Sequence, residues 1–333
     1  MKEERDFFRT DFETRYLGVR QLKRLITIIG LKRVIGLHAF IEESLAAKRD
    51  PVMGIARRGE WFQILTSEAC RLYPELKRWN TLGTEELATA IDRFSPEKSI
   101  WTAFGDIAYL SLVNHYLGHY GGDGFLGAIG KALQATEKAP HDLPGRLGGD
   151  EVAILFLERS FKFVTLTCQQ VENSIAAIPL EIGGMQLPSH IDLGVASFKE
   201  ALGVFQKHVA NLAQKKESYP QGQRLSDLVD TLVRLADRRS DVAKVYGRVR
   251  LLVDLFLNDV LTFDKCFAFL SKGGGNISRE EVYELARIKI NDPEAFEQAV
   301  VARALAPKET RSFFEAEIEA AALAPLRQAF GIT

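Results

Sequence analysis

Five polar side chains in the middle of the chain have the types and spacing to do chemistry: Asp106, Asn114, Asp123, Asp150 and Glu151. The last two follow a glycine pair in the run Arg146-Leu147-Gly148-Gly149-Asp150-Glu151-Val152. Paired glycines let a backbone turn sharply and approach a ligand closely. The two acids then stand at the rim of a sheet, where they either hold a hard cation or simply meet water. Asp106, at the end of an apolar run, adds a third carboxylate. Together these acids supply the hard oxygens that suit Mg²⁺ with phosphate completing its shell. Asn114 and Asp123 offer a carbonyl, an amide and a carboxylate. That set matches the edge of guanine, whose ring N–H and amino group donate to a carboxylate.

The elements that must position these residues are legible as periodicity. Ile100 to Ile107 reads as a buried strand ending beside Asp106, and an apolar helical run follows from Ala108 to Tyr116. The glycine-rich link Gly118 to Asp123 leads into a second helix, Phe125 to Thr136. A loop from Glu137 to Pro144 enters the Gly-Gly hairpin, whose return strand is Ala153 to Phe156. A helix then runs from Glu158 to about Ala177, short strands fall near Leu180–Ile182 and His190–Ala196, and a helix from Lys199 to Lys216 closes the unit. Strands alternating with helices in this way predict an α/β or α+β domain of roughly 120 residues.

The flanks read as helical. Phe8, Phe12, Tyr16, Val19, Leu22, Ile26 and Ile29 recur at helical steps within Phe7 to Leu45, and further helices are predicted over Glu60–Leu72 and Thr84–Ile91. Tyr219 to Gln223 reads as a linker. Beyond it, helices are predicted over Leu225–Leu235, Ser240–Phe263, Arg279–Lys289, Asp292–Leu305 and Thr310–Phe330. Ser278 with Glu281 three residues on is a helix-start signal. The glycine run Gly273 to Gly275 lacks the preceding strand and the following Lys-Ser/Thr of a phosphate-cradling loop.

Composition bounds the function classes. A net charge of −1 on 333 residues implies no polyanion partner, so nucleic acid is not expected. Apolar runs are too short for a membrane span and the charged N-terminus lacks a signal-peptide core, so the expectation is a cytoplasmic protein without membrane insertion. Cys70, Cys168 and Cys266 are odd in number and widely spaced, as buried thiols of a reducing compartment would be.

The residues from Ser99 to Lys216, taken together, resemble the GGDEF domain of diguanylate cyclases. Asp106, Asn114, Gly118-His119, Gly122-Asp123 and Arg146 to Glu151 carry the resemblance, and His190 to Ala196 resembles the family's strand before its final helix. It implies an α+β, cyclase-like GGDEF domain with a central mixed sheet and surrounding helices over residues 99–218. All-α regions, 1–98 and 219–333, flank it, the first a sensor, dimerisation or packing module. Family chemistry joins two GTP molecules into cyclic di-GMP with release of two pyrophosphates, on two domains that meet face to face. By position, Asp106 and Asp150 would hold Mg²⁺ or Mn²⁺, assisted by the carbonyl of Ile107, with Asp150 and Glu151 as the catalytic acids. Asn114 and Asp123 would read guanine, Gly148 and Gly149 would admit the nucleotide, and Lys215 or Lys216 would meet phosphate. GTP, cyclic di-GMP and a second copy or signalling partner at the helical regions are the implied partners.

This chain also departs from the family. Ala108 replaces a second acid, Ser111 the phosphate-binding lysine, His115 an aspartate and Val152 the last residue of the signature. The arginine after the closing helix is missing. The product-inhibition motif reads Ala139-Pro140-His141-Asp142, without its arginine. Loss of one oriented phosphate contact costs a few kcal/mol at a transition state. Two readings follow: a diguanylate cyclase-type site of low activity, or an inactive GGDEF protein that binds GTP or cyclic di-GMP, or a protein partner.

Overall fold

Runs of β-branched and aromatic residues bounded by turns extend as strands; three such runs, joined by two strands without them, build one mixed sheet. In the computed structural model, which describes residues 49–135, 142–273 and 275–332, these are β1 (Ala56–Arg57), β2 (Ile100–Ile107), β3 (Asp142–Arg146), β4 (Glu151–Leu157) and, after a separate hairpin, β7 (Ile191–Ser197). The order is β1-β3-β4-β2-β7, with β1 parallel to β3 and every other pair antiparallel. The hairpin of β5 (Pro179–Ile182) and β6 (Met185–Pro188) turns through Gly183 and Gly184, at φ +56° and +78°. Both central positions of that two-residue turn need positive φ, which glycine supplies without strain. The helix expected over Phe7–Leu45 lies outside the described residues.

Helices cover both faces. One layer holds α1 (Arg58–Leu72), α2 (Leu76–Trp79), α3 (Thr84–Asp92) and α6 (Phe198–Gln214), packed on Phe104, Ala153 and Leu155. The other holds α4 (Leu110–Gln134) and α5 (Phe161–Ala176), packed on Ala103, Ile107 and Ile154. The sequence predicts two helices where α4 is one, interrupted only at Gly118 (φ +70°, ψ 176°). Gly121 and Gly122 stay helical, so the expected link is a kink at a single residue.

The C-terminal third is entirely helical: α7 (Arg224–Asn258), α8 (Val260–Gly273), α9 (Arg279–Asn291), α10 (Pro293–Ala304) and α11 (Phe313–Ala329). The two helices predicted between Leu225 and Phe263 form a continuous α7, and the break falls at Asp259 instead. There the Asp259 carboxylate accepts from the backbone N–H of Thr262, starting α8 as a helix cap does. Ser278 caps α9 in the expected box with Glu281, and Asp292 caps α10 ahead of Pro293.

The first half of α7 buries Leu228, Leu232 and Leu235 in one layer, and its second half buries Val249, Leu252 and Val253 in the other. It passes the β7 edge at Gly194, where a Cβ would stand 2.1 Å from the Ala236 carbonyl oxygen and 2.2 Å from the Ser240 nitrogen. Only glycine lets helix and strand backbones touch there. Ser240 Oγ donates to the Asp192 carbonyl at 2.6 Å, and Arg239 donates to the Val195 carbonyl at 2.6 Å and to Glu200 at 2.6 Å. Residues Pro51–Thr333 accordingly cluster as one unit. Tyr219, in the connection between α6 and α7, is buried; its N–H donates to Thr84 and its hydroxyl to Asp227. Among the described residues no helix is long and apolar enough to cross a membrane.

Candidate functional site

The register of the sheet places three carboxylates side by side. Asp106 on β2 stands opposite Glu151 on β4 and opposite Asp192 on β7. Residues directly opposite across antiparallel strands share a face, and like charges there repel. The row therefore needs cations, and one neighbour, just ahead of β7, is His190, whose Nε2 lies 2.8 Å from Asp192 Oδ1. That hydrogen bond raises the His190 pKa above the usual histidine value, against the opposing pull of burial.

The other cations come from α7. Lys244 Nζ donates to Asp106 Oδ2 at 2.8 Å, and Arg248 Nη2 lies 3.6 Å from Oδ1. All three side chains are largely buried, at 18% exposure for Asp106, 22% for Lys244 and 12% for Arg248. Burial raises the Asp106 carboxyl, while Lys244 and Arg248 draw it down. Lys244 and Arg248 were not legible as site residues. Cations four apart on a helical stretch look like a solvated face, and only that i, i+4 spacing could have marked them as a pair.

The hairpin holds its acids by backbone geometry. Leu147 and Gly148 N–H both donate to the Glu151 carbonyl, at 2.8 and 3.3 Å, and Ile107 N–H donates to the Asp150 carbonyl at 2.9 Å. Arg146 donates to the carbonyls of Gly148 and Gly149. Neither of these glycines is in the left-handed region. A Cβ on Gly148 would come within 2.2 Å of the Glu151 carboxylate, the movable end of a flexible side chain, whereas Gly149 is open.

Asn114 and Asp123 sit on α4 on either side of the Gly118 kink. A Cβ on Gly122 would be 1.9 Å from Asn114 Oδ1, so the kinked helix brings Asn114 against the turn that carries Asp123. Asp123 is exposed and Asn114 half-buried. Lys215 and Lys216 end α6 on the solvent side, and neither lines the cavity at Asp106. Of the motif Ala139 to Asp142, only Asp142 is described; it pairs with Arg159 at 3.1 Å.

The cavity that joins Asp106, Ile107 and Asp150 is small, about 50 Å³, and is closed by Lys244, Arg248, Phe269 and Leu270 from α7 and α8. That holds a few waters, whereas small-molecule sites run to about 300–1,000 Å³. A divalent metal such as Mg²⁺ needs oxygens around it at close to octahedral geometry. Here Asp106 already pairs with two cations, and among the described residues no three His, Cys, Asp or Glu side chains converge as a metal site. In this arrangement the residues do not fit a metal carrying a phosphate chain.

Comparison with known proteins adds the family. Residues 80–217 match the model described as diguanylate cyclase, GGDEF domain. No curated protein matches the chain. Among solved structures, the diguanylate cyclase SiaD of Pseudomonas aeruginosa, in complex with its activator SiaC, is 18% identical, covering 65% of this chain and 76% of its own at a TM-score of 0.38. A sensory box/GGDEF family protein of Caulobacter crescentus is 21% identical over 57% of this chain and 97% of its own, with a TM-score of 0.35. The coiled coil and GGDEF domain of DgcB from the same organism, in complex with c-di-GMP, is 17% identical over 56% and 91%, with a TM-score of 0.38. The motif residues, the mixed sheet and the family match converge: residues 80–217 of this chain form a GGDEF domain.

Proposed function

We propose that this chain is a guanine-nucleotide signalling protein of the cyclic di-GMP type whose cyclase-like site is held closed by its own C-terminal helices. The GGDEF domain then serves as a binding and interaction module. The observation that supports this reading is the pairing of Asp106 with Lys244 and Arg248 in a space of about 50 Å³. Asn114 and Asp123 are the guanine readers, and Gly148 and Gly149 the glycines that admit a nucleotide. Asp106, the Ile107 carbonyl and Asp150, with Glu151 beside them, are the positions where the family holds Mg²⁺ or Mn²⁺. No step is assigned to that metal here, because Lys244 and Arg248 stand in the place of its charge.

Cyclic di-GMP formation needs two GTP-loaded domains face to face, and Phe269 and Leu270 of α8 close the cavity at Asp106 and Asp150. GTP or cyclic di-GMP is the ligand in this reading, and the regions flanking the domain, 1–98 and 219–333, are where a second copy or a signalling partner would meet it. Asp150 favours a second reading, a cyclase of low activity. Among the described residues its carboxylate has no ion-pair partner, so one acid of the pair remains available.

The test is direct. Pure full-length protein is incubated with GTP and Mg²⁺, and the products are separated by mass spectrometry. We expect no cyclic di-GMP from the wild type; steady turnover would sink the first reading. Slow but steady product from the wild type would establish the second, and product from a Lys244→Ala/Arg248→Ala protein alone would show that the two cations hold the site closed, as the first reading has it.

A further inference from the structure

Lys244 and Arg248 face a second cavity as well as the small one. This second space, of about 860 Å³, lies between α7, α8 and α10. Six basic side chains line it, Arg238, Lys244, Arg248, Lys272, Arg303 and Lys308, against a single acid, Asp241. On a chain whose net charge is −1, so one-sided a lining is a local construction. Four of the six have carboxylate partners: Arg238 with Glu319, Lys244 with Asp106, Arg303 with Glu281 and Lys308 with Asp241. Two do not have one of their own. Arg248 shares Asp106 with Lys244 at the longer distance, and its Nε is buried without a hydrogen-bond acceptor. Lys272 has no carboxylate within ion-pair distance among the described residues.

A buried guanidinium N–H without an acceptor is costly, and a phosphoryl group offers several acceptor oxygens at once. Guanidinium forks take phosphate bidentately and lysine ammonium groups take it as point charges; both kinds are present. The volume exceeds what one phosphate fills and lies in the range of nucleotide-sized ligands. Val245, Ala268 and Phe269 give part of the wall an apolar surface against which a base or sugar can rest.

We propose that this cavity binds a diphosphate or triphosphate group, either on a nucleotide or as free pyrophosphate, and that its occupant competes with Asp106 for Lys244 and Arg248. The residues belong to the C-terminal helices, apart from Ser111 at the border with the small cavity. The site goes beyond the guanine-reading residues and does not depend on whether the cyclase-like site turns over.

Isothermal titration of the full chain with pyrophosphate, GTP and ATP, in EDTA and at moderate salt, tests this, with sulfate as the measure of unspecific anion binding. Pyrophosphate is expected to bind at least tenfold more tightly than sulfate, and Lys272→Ala to weaken it about tenfold. Asp106→Asn removes the competitor and is expected to tighten pyrophosphate binding several-fold, an effect that general loss of structure would not produce. Asn114→Ala is expected to leave pyrophosphate binding unchanged. With the guanine readers disabled by Asn114→Ala, equal affinity for GTP and ATP identifies the phosphates as the recognised group, and tighter binding of either identifies a base contact on the apolar wall. Pyrophosphate binding no better than sulfate overturns the proposal, as does binding indifferent to Lys272→Ala. GTP binding that Asn114→Ala abolishes, with no pyrophosphate binding, would place the ligand at the guanine readers and overturn it too.

Discussion

Asp237 on α7 lies where burial and the neighbouring Asp241 both disfavour its charge, and its pKa is pushed up to about 6, with Glu151 and Asp106 adding to the effect. An unfolded aspartate titrates near 3.9, so the folded chain binds the extra proton between about pH 4 and 6. Stability contributed by that proton is present at low pH and is lost as pH rises through 6. Asp237→Asn is therefore expected to raise Tm by a few degrees above pH 7 and to leave it unchanged near pH 4, a difference that thermal melts across pH will read. The same excess of acids explains why Asp106 recruits cations from far along the chain. Asp106, Asn114, Asp123, Asp150 and Glu151 were readable as one candidate set because their spacing falls within one segment. Lys244 was not, since it lies 138 residues from its partner and nothing in a charged helical stretch says which sheet it will meet.

At the scale of elements, β2, β4, β7 and α6 follow from apolar alternation and turn residues, and the structure has them within a residue or two of the expected bounds, whereas β3 begins at Asp142, inside the loop expected over Glu137 to Pro144. What periodicity could not give is the seating of α7, because that depends on a missing side chain. Gly194 reads in sequence as a small residue in a strand, but it is the point where a helix touches the sheet. Gly194→Val would drive a branched side chain into the Ala236 and Ser240 backbone. We expect a loss of about 3 kcal/mol or more, seen as a fall in Tm of roughly 5–10 °C. If α7 lifts as a consequence, Lys244 and Arg248 leave Asp106, and Lys244 becomes accessible to amine-reactive labelling in native protein. Labelling equal to wild type would show that the helix seats in some other way.

For the whole molecule, the GGDEF domain and the helices after it share their cores. Leu228, Leu232 and Leu235 complete one layer, Val249, Leu252 and Val253 the other, and Arg224, 1% exposed, donates to the carbonyls of Trp79, Leu82 and Tyr219. A fragment ending at Ser218 would leave both layers open. It is expected to sediment as aggregates or to lose its near-ultraviolet circular dichroism, whereas a monomeric fragment with a sharp thermal transition would show that the domain stands alone.

The two outer strands of the sheet carry a further consequence. Exposed strand margins invite pairing with other chains. Here the Trp61 indole donates to the Leu143 carbonyl on one margin, next to the two-residue β1, and α7 holds the Asp192 and Val195 carbonyls at the other. Backbone-to-backbone docking of an extended peptide along β7 would first have to evict a helix. Recruitment of a partner along that strand would therefore be slow and energetically coupled to opening the Asp106 cluster, whereas recognition through side chains on the helical surfaces would leave the cluster shut.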